Sequence, residues 1–125
     1  MTRATYVHEA TIESHPGSNV HAIGAAVTVE LCGHWEHQPP CRWPHHTAAE
    51  EIRPGRVLTR TVVVAGIESQ EAERRVRAAL AAGSAPWVEG SWSMLAVARV
   101  PPRSDDIELA EQISPSGARR HMPGE

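Results

Sequence analysis

Hydrophobic and polar residues alternate along several short blocks of this chain, and such alternation is typical of strands. Residues 5–14 and 57–66 are rich in β-forming residues and predict two strands. Residues 21–34 also alternate, and they predict a long strand between those two. A further strand is predicted at residues 91–100, where the pattern ends at two prolines.

A period of about 3.6 residues indicates helices elsewhere in the chain. Residues 70–82 predict the main helix, with Ser69 as its N-cap and Gly83 as its stop. A Thr-x-x-Glu capping box predicts a short helix over residues 47–52. A last short helix is predicted at residues 105–113. The apolar stripe of the main helix consists of Ala72, Val76, Ala79 and Leu80.

The order of these elements predicts an α+β fold. We expect a mixed four-stranded sheet covered by one main helix, a ferredoxin-like variant, in a single domain over residues 1–113. The segment 57–100 reads as a right-handed crossover between two parallel strands. One helix covers only one face of such a sheet, so we expect a homodimer to cover the other. The remaining residues, 114–125, mix Pro, Gly, Ser and Arg and predict a flexible tail.

The composition narrows the functional classes. The 125 residues carry 12 basic and 15 acidic side chains, a net charge of -3, which argues against a general nucleic-acid binder. All the basic residues are arginine, so lysine chemistry is excluded. No apolar run is long enough for a membrane span, and the amino terminus lacks the apolar segment of a secretion signal. We therefore expect a cytoplasmic protein whose cysteines are reduced.

The strongest chemical signal is the segment 32–46, which contains both cysteines and four of the eight histidines of the chain. Thiolate and imidazole bind borderline and soft transition metals. The segment therefore predicts a metal site, with zinc as the leading ion and copper or iron as alternatives. The predicted ligands are Cys32, His34, His37, Cys41, His45 and His46.

Strand parity adds a geometric argument to this prediction. In a strand over 21–34, Cys32 and His34 project from the same face at its end, and Glu30 shares that face. Glu30 and Glu36 are the candidates for a general base or a carboxylate ligand, and the shared face makes Glu30 the better of the two. Six predicted ligands exceed the four that zinc needs, so some of them would have other roles. Because His45 and His46 are adjacent, an extended backbone prevents both from binding one ion.

The spacing of these residues leaves the function open between several classes. It matches neither paired Cys-x2-Cys knuckles nor the His-Glu-x-x-His helix motif. We expect a metal-binding protein first. The alternatives are a metalloenzyme that activates a water for hydrolysis or hydration, and a thiol-based enzyme or redox protein. A purely structural loop, packed around Trp35 and Trp43, is the remaining interpretation. If the cysteines are oxidised, Cys32 and Cys41 would close a small loop instead.

Overall fold

The computed structural model describes residues 3–32, 43–85 and 88–114. Five strands form one antiparallel, curled sheet, and three helices cover its two faces. In chain order they are β1 (Ala4–Ser14), α1 (His21–Cys32), β2 (His45–Arg53), β3 (Arg56–Ala65), α2 (Ser69–Ala82), β4 (Ser84–Ala85), β5 (Val88–Val100) and α3 (Ser104–Ile113).

The sheet has the strand order β2-β3-β1-β5-β4, and every paired strand is antiparallel to its neighbour. The predicted four-stranded, mixed, ferredoxin-like sheet with one main helix is therefore wrong, although the protein does combine helices and strands. The central strand is β1, which lies between β3 and β5. Both of these strands are antiparallel to β1, so they run in the same direction without pairing. The predicted parallel pair was wrong because β1 lies between its two members.

The sequence prediction is wrong at α1. Residues 21–34 were predicted as a strand, but His21–Cys32 form a helix. Alternating Ala, Val and Thr residues resemble a strand, but Ile23, Val27 and Leu31 also recur every four residues and are buried. The side-chain oxygen of Asn19 accepts a hydrogen bond from the backbone N–H of His21 at 2.9 Å, as an N-cap residue does. Tertiary packing therefore selects the helical period over the alternating one.

The second error is β2, whose residues 47–52 were predicted as a helix. Among the described strands they form the edge of the sheet and pair with β3. Its side chains at 45, 47 and 49 are half-buried, while those between them are exposed. The Thr-x-x-Glu pattern therefore does not cap a helix here. Pairing with the strongly β-forming strand β3 overrides the helix propensity of Ala and Glu.

The remaining elements agree with the sequence prediction. The strands β1, β3 and β5 and the helices α2 and α3 are all present within a few residues of their expected ends. Gly83 ends α2 with a φ of 82°, a conformation that favours glycine. Ser69 is not the N-cap, because that position belongs to Glu68, which forms no side-chain capping bond.

The two faces of the sheet are covered unequally. The helices α1 and α2 pack over one face and enclose the main core, which includes Ile12, Ile23 and Leu80. The single helix α3 covers part of the other face, where Ala110 packs on Val7 and Val62. Polar contacts hold α3 in place: Arg60 on β3 donates from Nε to Asp106 Oδ1 at 3.0 Å and also pairs with Glu9.

Candidate functional site

The predicted metal-binding segment joins α1 to β2, and its two ends lie at the same end of the core. The hydroxyl of Thr28 on α1 lies 3.0 Å from Nε2 of His45 on β2. One turn earlier in α1, a side chain at Gly24 would lie 3.7 Å from Cβ of Thr47. Position 24 of α1 thus lies beside Thr47, and Thr28, one turn later, contacts His45, so α1 runs toward the start of β2. The next turn contains Cys32, so it lies beside the start of β2.

The structure fixes the tautomer of His45. Its Nδ1 lies 3.0 Å from the backbone oxygen of Trp43, which can only accept, so Nδ1 carries the proton. The other ring nitrogen, Nε2, then accepts a hydrogen bond from the hydroxyl of Thr28. The lone pair of Nε2, the atom that binds a metal, therefore points toward α1.

Cys32 is half-buried and disulfide-bonded, so the expectation that the cysteines are reduced is wrong for this structure. A disulfide sulfur is not the thiolate that binds zinc, so the sulfur becomes a ligand only after reduction. The second cysteine of the chain, Cys41, lies outside the described residues, as do His34, His37 and Glu36. Their predicted roles stay predictions.

His45 and His46 project to opposite faces of the sheet. His45 is half-buried beneath α1, whereas His46 is exposed on the face that carries α3. They therefore cannot bind one ion from this strand, as expected for adjacent residues, although they lie in a strand and not before a helix. Within residues 3–32, 43–85 and 88–114, no three potential ligands cluster tightly enough to hold a metal.

Glu30 does not have the position that strand parity predicted. Because residues 21–32 form a helix, Glu30 lies about 200° around the axis from both Thr28 and Cys32. Its side chain is exposed, and its backbone oxygen lies 3.4 Å from a guanidinium nitrogen of Arg75. The geometric reason for choosing Glu30 as a general base is therefore wrong.

An aromatic residue closes the carboxyl-terminal end of the segment. Trp43 is buried in the main core, and the guanidinium of Arg75 lies 5.1 Å from the centre of its ring. This distance is within the range of a cation–π contact. Arg75 also donates to the carboxylate of Glu71 on the same helix at 2.8 Å. The helix α2 therefore holds the entry to β2 in place through Trp43.

A buried polar cluster lies on the same face of the sheet, and the sequence analysis did not identify it. His8 on β1 is fully buried, and its Nε2 lies 2.9 Å from Oε2 of Glu73 on α2. The same carboxylate oxygen lies 3.4 Å from Nε of Arg99 on β5. The second ring nitrogen of His8, Nδ1, is buried and has no hydrogen-bond partner.

Burial lowers the pKa of His8, because the apolar surroundings disfavour the charged imidazolium. The hydrogen bond and the charge of Glu73 act in the opposite direction, while Arg77 and Arg99 add to the lowering. His8 is therefore neutral at pH 7 and donates from Nε2 to the carboxylate. This is the arrangement in which a carboxylate orients a histidine, and it leaves the lone pair of Nδ1 without a donor.

The cluster belongs to a polar row that crosses the sheet. Its members stand opposite one another on four neighbouring strands: Thr47, Thr61, His8 and Arg99. The hydroxyl groups of Thr47 and Thr61 lie 3.1 Å apart. His45 lies one row further toward the loop, opposite Val63. His8 is thus near the base of the predicted metal-binding segment but separate from it.

No helix among the described parts of the chain combines the length and the apolar character needed to cross a membrane. Comparison of the sequence and the structure with known proteins finds no matching protein family, curated protein or solved structure.

Proposed function

We propose that the chain is a small metal-binding protein that uses the segment 32–46, with zinc as its first ion. The observation that carries this proposal is the contact of 3.0 Å between Thr28 and His45. Cys32 lies one helical turn after Thr28, about 6 Å further along the same side of α1. The contact therefore supports the proposal that two of the predicted donors, 13 positions apart in the sequence, lie near each other.

The chemistry of His45 supports this proposal. An imidazole binds a metal through an unprotonated nitrogen, and its other N–H is usually held by a backbone carbonyl or a carboxylate. The backbone oxygen of Trp43 has this role for Nδ1 of His45. A metal at Nε2 would replace the hydrogen bond from Thr28, and no proton has to leave the neutral ring. The loop between Cys32 and His45 contains the other predicted donors, His34, His37 and Cys41.

The oxidation state of Cys32 defines the conditions for binding. The disulfide removes a thiolate from the donor set, so we expect tight zinc binding only by the reduced protein. We propose a cytoplasmic location, because the disulfide of Cys32 would be reduced there and its thiolate would be released for zinc.

The disulfide also favours a second candidate function, a thiol-based redox protein. In that case the oxidised and reduced forms of Cys32 are both functional, and zinc is not required. The two functions give different results with a thiol reductant. A metal-binding protein gains one equivalent of zinc on reduction, whereas a redox protein changes its thiol content without binding zinc.

The test of the proposed function is the metal content of untagged, reduced protein, measured by elemental analysis. We expect about one zinc per chain, with lower content in the variants Cys41→Ala and His34→Ala. His121→Ala is the matched control, because it removes a histidine outside the segment. Equal metal content in all these proteins would contradict the assignment.

We also propose that the protein is a homodimer, and the uncovered part of the sheet supports this. The helix α3 leaves Leu58 on β3 and Leu95 on β5 with 37% and 49% of their surfaces exposed. Both lie away from the small apolar cluster beneath α3. Sedimentation equilibrium tests the proposal: we expect twice the mass of the chain, and a Leu95→Asp variant of monomeric mass.

A further inference from the structure

A second possible site lies at the opposite end of the sheet from the loop, where two turns meet. One turn follows β1 at Ser14–Pro16, and the other is the hairpin Arg53–Gly55 between β2 and β3. The backbone N–H of Ser14 donates to the oxygen of Gly55 at 2.8 Å, which joins the two turns. Between them is a cleft of about 570 Å³.

Two arginines line the cleft and have no ion-pair partner among the described residues. Arg53 and Arg56 are cross-strand partners at the end of the hairpin, and both line the cleft. Nε of Arg56 is also buried without a hydrogen-bond partner. Arg60, which lies on β3 like Arg56, is by contrast paired with both Asp106 and Glu9.

Two carboxylates and a histidine lie at or beside the cleft. Glu13 stands opposite Arg56 across β1 and β3 but lies beyond ion-pair distance. His15 is held between two hydroxyls, with Nδ1 at 2.8 Å from Ser91 and Nε2 at 3.1 Å from Ser93. Two guanidinium groups and the carboxylate of Glu13 thus line the cleft, and the carboxylate of Glu51 lies beside it, where it accepts from the backbone N–H of Gly55 at 3.4 Å.

We infer that this cleft binds a phosphate group, either as the free ion or as a small phosphomonoester. A guanidinium offers parallel N–H donors that match the oxygens of phosphate. Two arginines on adjacent strands can contact one phosphate from two sides. The cleft volume lies within the usual range for small-molecule sites, so an organic group fits beside the phosphate.

The test is a titration of the full chain with inorganic phosphate, phenyl phosphate and acetate, followed by NMR amide shifts at constant ionic strength. We expect phosphate and phenyl phosphate to shift the amides of residues 13–16 and 53–56, and acetate to bind more weakly. Tighter binding of phenyl phosphate assigns the site to a phosphomonoester, and equal binding assigns it to the free ion. Binding of acetate as tight as that of phosphate would overturn the inference, as would the absence of shifts at these residues.

Variants distinguish phosphate binding in this cleft from a nonspecific attraction of phosphate to any arginine. Arg53→Gln and Arg56→Gln should each weaken phosphate binding roughly tenfold or more, since each removes charge-assisted hydrogen bonds. Arg3→Gln is the control, because it removes the same charge from an exposed position outside the cleft. Glu13→Gln should strengthen binding, a gain that misfolding cannot produce. An equal loss in Arg3→Gln, or no gain in Glu13→Gln, would overturn the inference.

Discussion

The buried pair of His8 and Glu73 permits a quantitative test of the core. Replacing Glu73 by leucine removes the acceptor that lies 2.9 Å from Nε2 of His8. The imidazole then keeps a buried N–H with no partner, which costs about 1–3 kcal/mol. Arg99 also loses its contact with Oε2, but its side chain is 59% exposed and can turn to water. We therefore expect the free energy of unfolding to fall by about 2 kcal/mol.

The reverse substitution, His8→Leu, has a similar cost for a different reason. The carboxylate of Glu73 is only 9% exposed and keeps just the contact of 3.4 Å with Arg99. We expect a loss of about 1–2 kcal/mol. The double variant His8→Leu/Glu73→Leu leaves neither polar group behind. Its cost should fall below the sum of the two single costs by about 1–2 kcal/mol.

Urea unfolding followed by tryptophan fluorescence measures these free energies. Glu108→Gln is the control, because this exposed residue of α3 should change the stability by less than about 0.5 kcal/mol. If the double variant costs as much as the two single variants together, His8 and Glu73 do not interact as described. The same conclusion follows if Glu73→Leu is as mild as the control.

The lowered pKa of His8 adds a dependence on pH. As the pH falls below about 6.5, histidine in the unfolded chain takes up a proton while the buried His8 stays neutral. The unfolded state then binds more protons, so stability falls as the pH falls, until the pKa of His8 in the folded protein is passed. His8→Leu should have a flatter stability profile just below pH 6.5. A profile unchanged from the parent protein would refute the neutral, buried imidazole.

Further predictions concern the helix ends and the helix α3. Gly83→Ala should destabilise the protein more than Gly17→Ala in the same urea assay. Both glycines have a positive φ, which strains alanine equally. A Cβ at Gly83 would also lie 3.0 Å from the backbone oxygen of Trp92, whereas a Cβ at Gly17 would meet no atom within 4 Å. Equal losses would show that the close approach is relieved. Asp106→Ala should cost about 1–3 kcal/mol because Arg60 loses its partner. Arg60 lowers the pKa of Asp106, so this contribution should be present above about pH 4 and disappear as the pH falls further; a cost that persists in acid would contradict it.

The elements that the sequence predicted correctly are those in which the apolar residues follow one clear spacing. The strand β3 and the helix α2 have strong, unambiguous patterns, and both were placed within a few residues of their ends. The segment 21–32 fits two periods at once, because its alternating Ala, Val and Thr residues also contain an apolar stripe spaced by four. The choice between them depends on packing against β2 and α2, which a local pattern does not contain.

The sequence also predicts the candidate sites unequally, because one consists of neighbours in the chain and the other of distant residues. The Cys/His segment was visible because its residues are neighbours in the chain, but the faces they share depend on α1, which was predicted as a strand. His8 and Glu73 are 65 positions apart, so their pairing depends on the tertiary fold. One signal was present: Glu73 follows Ala72 and precedes Val76 on the apolar side of α2, where an acid requires a buried partner.

The most direct test of the metal-binding proposal is a zinc titration of the untagged protein in its reduced and oxidised forms, followed by mass spectrometry under native conditions. We expect the reduced chain to bind one zinc ion and the oxidised chain, in which Cys32 is disulfide-bonded, to bind none tightly. A reduced protein that binds no zinc, or an oxidised protein that binds it equally well, would contradict the account.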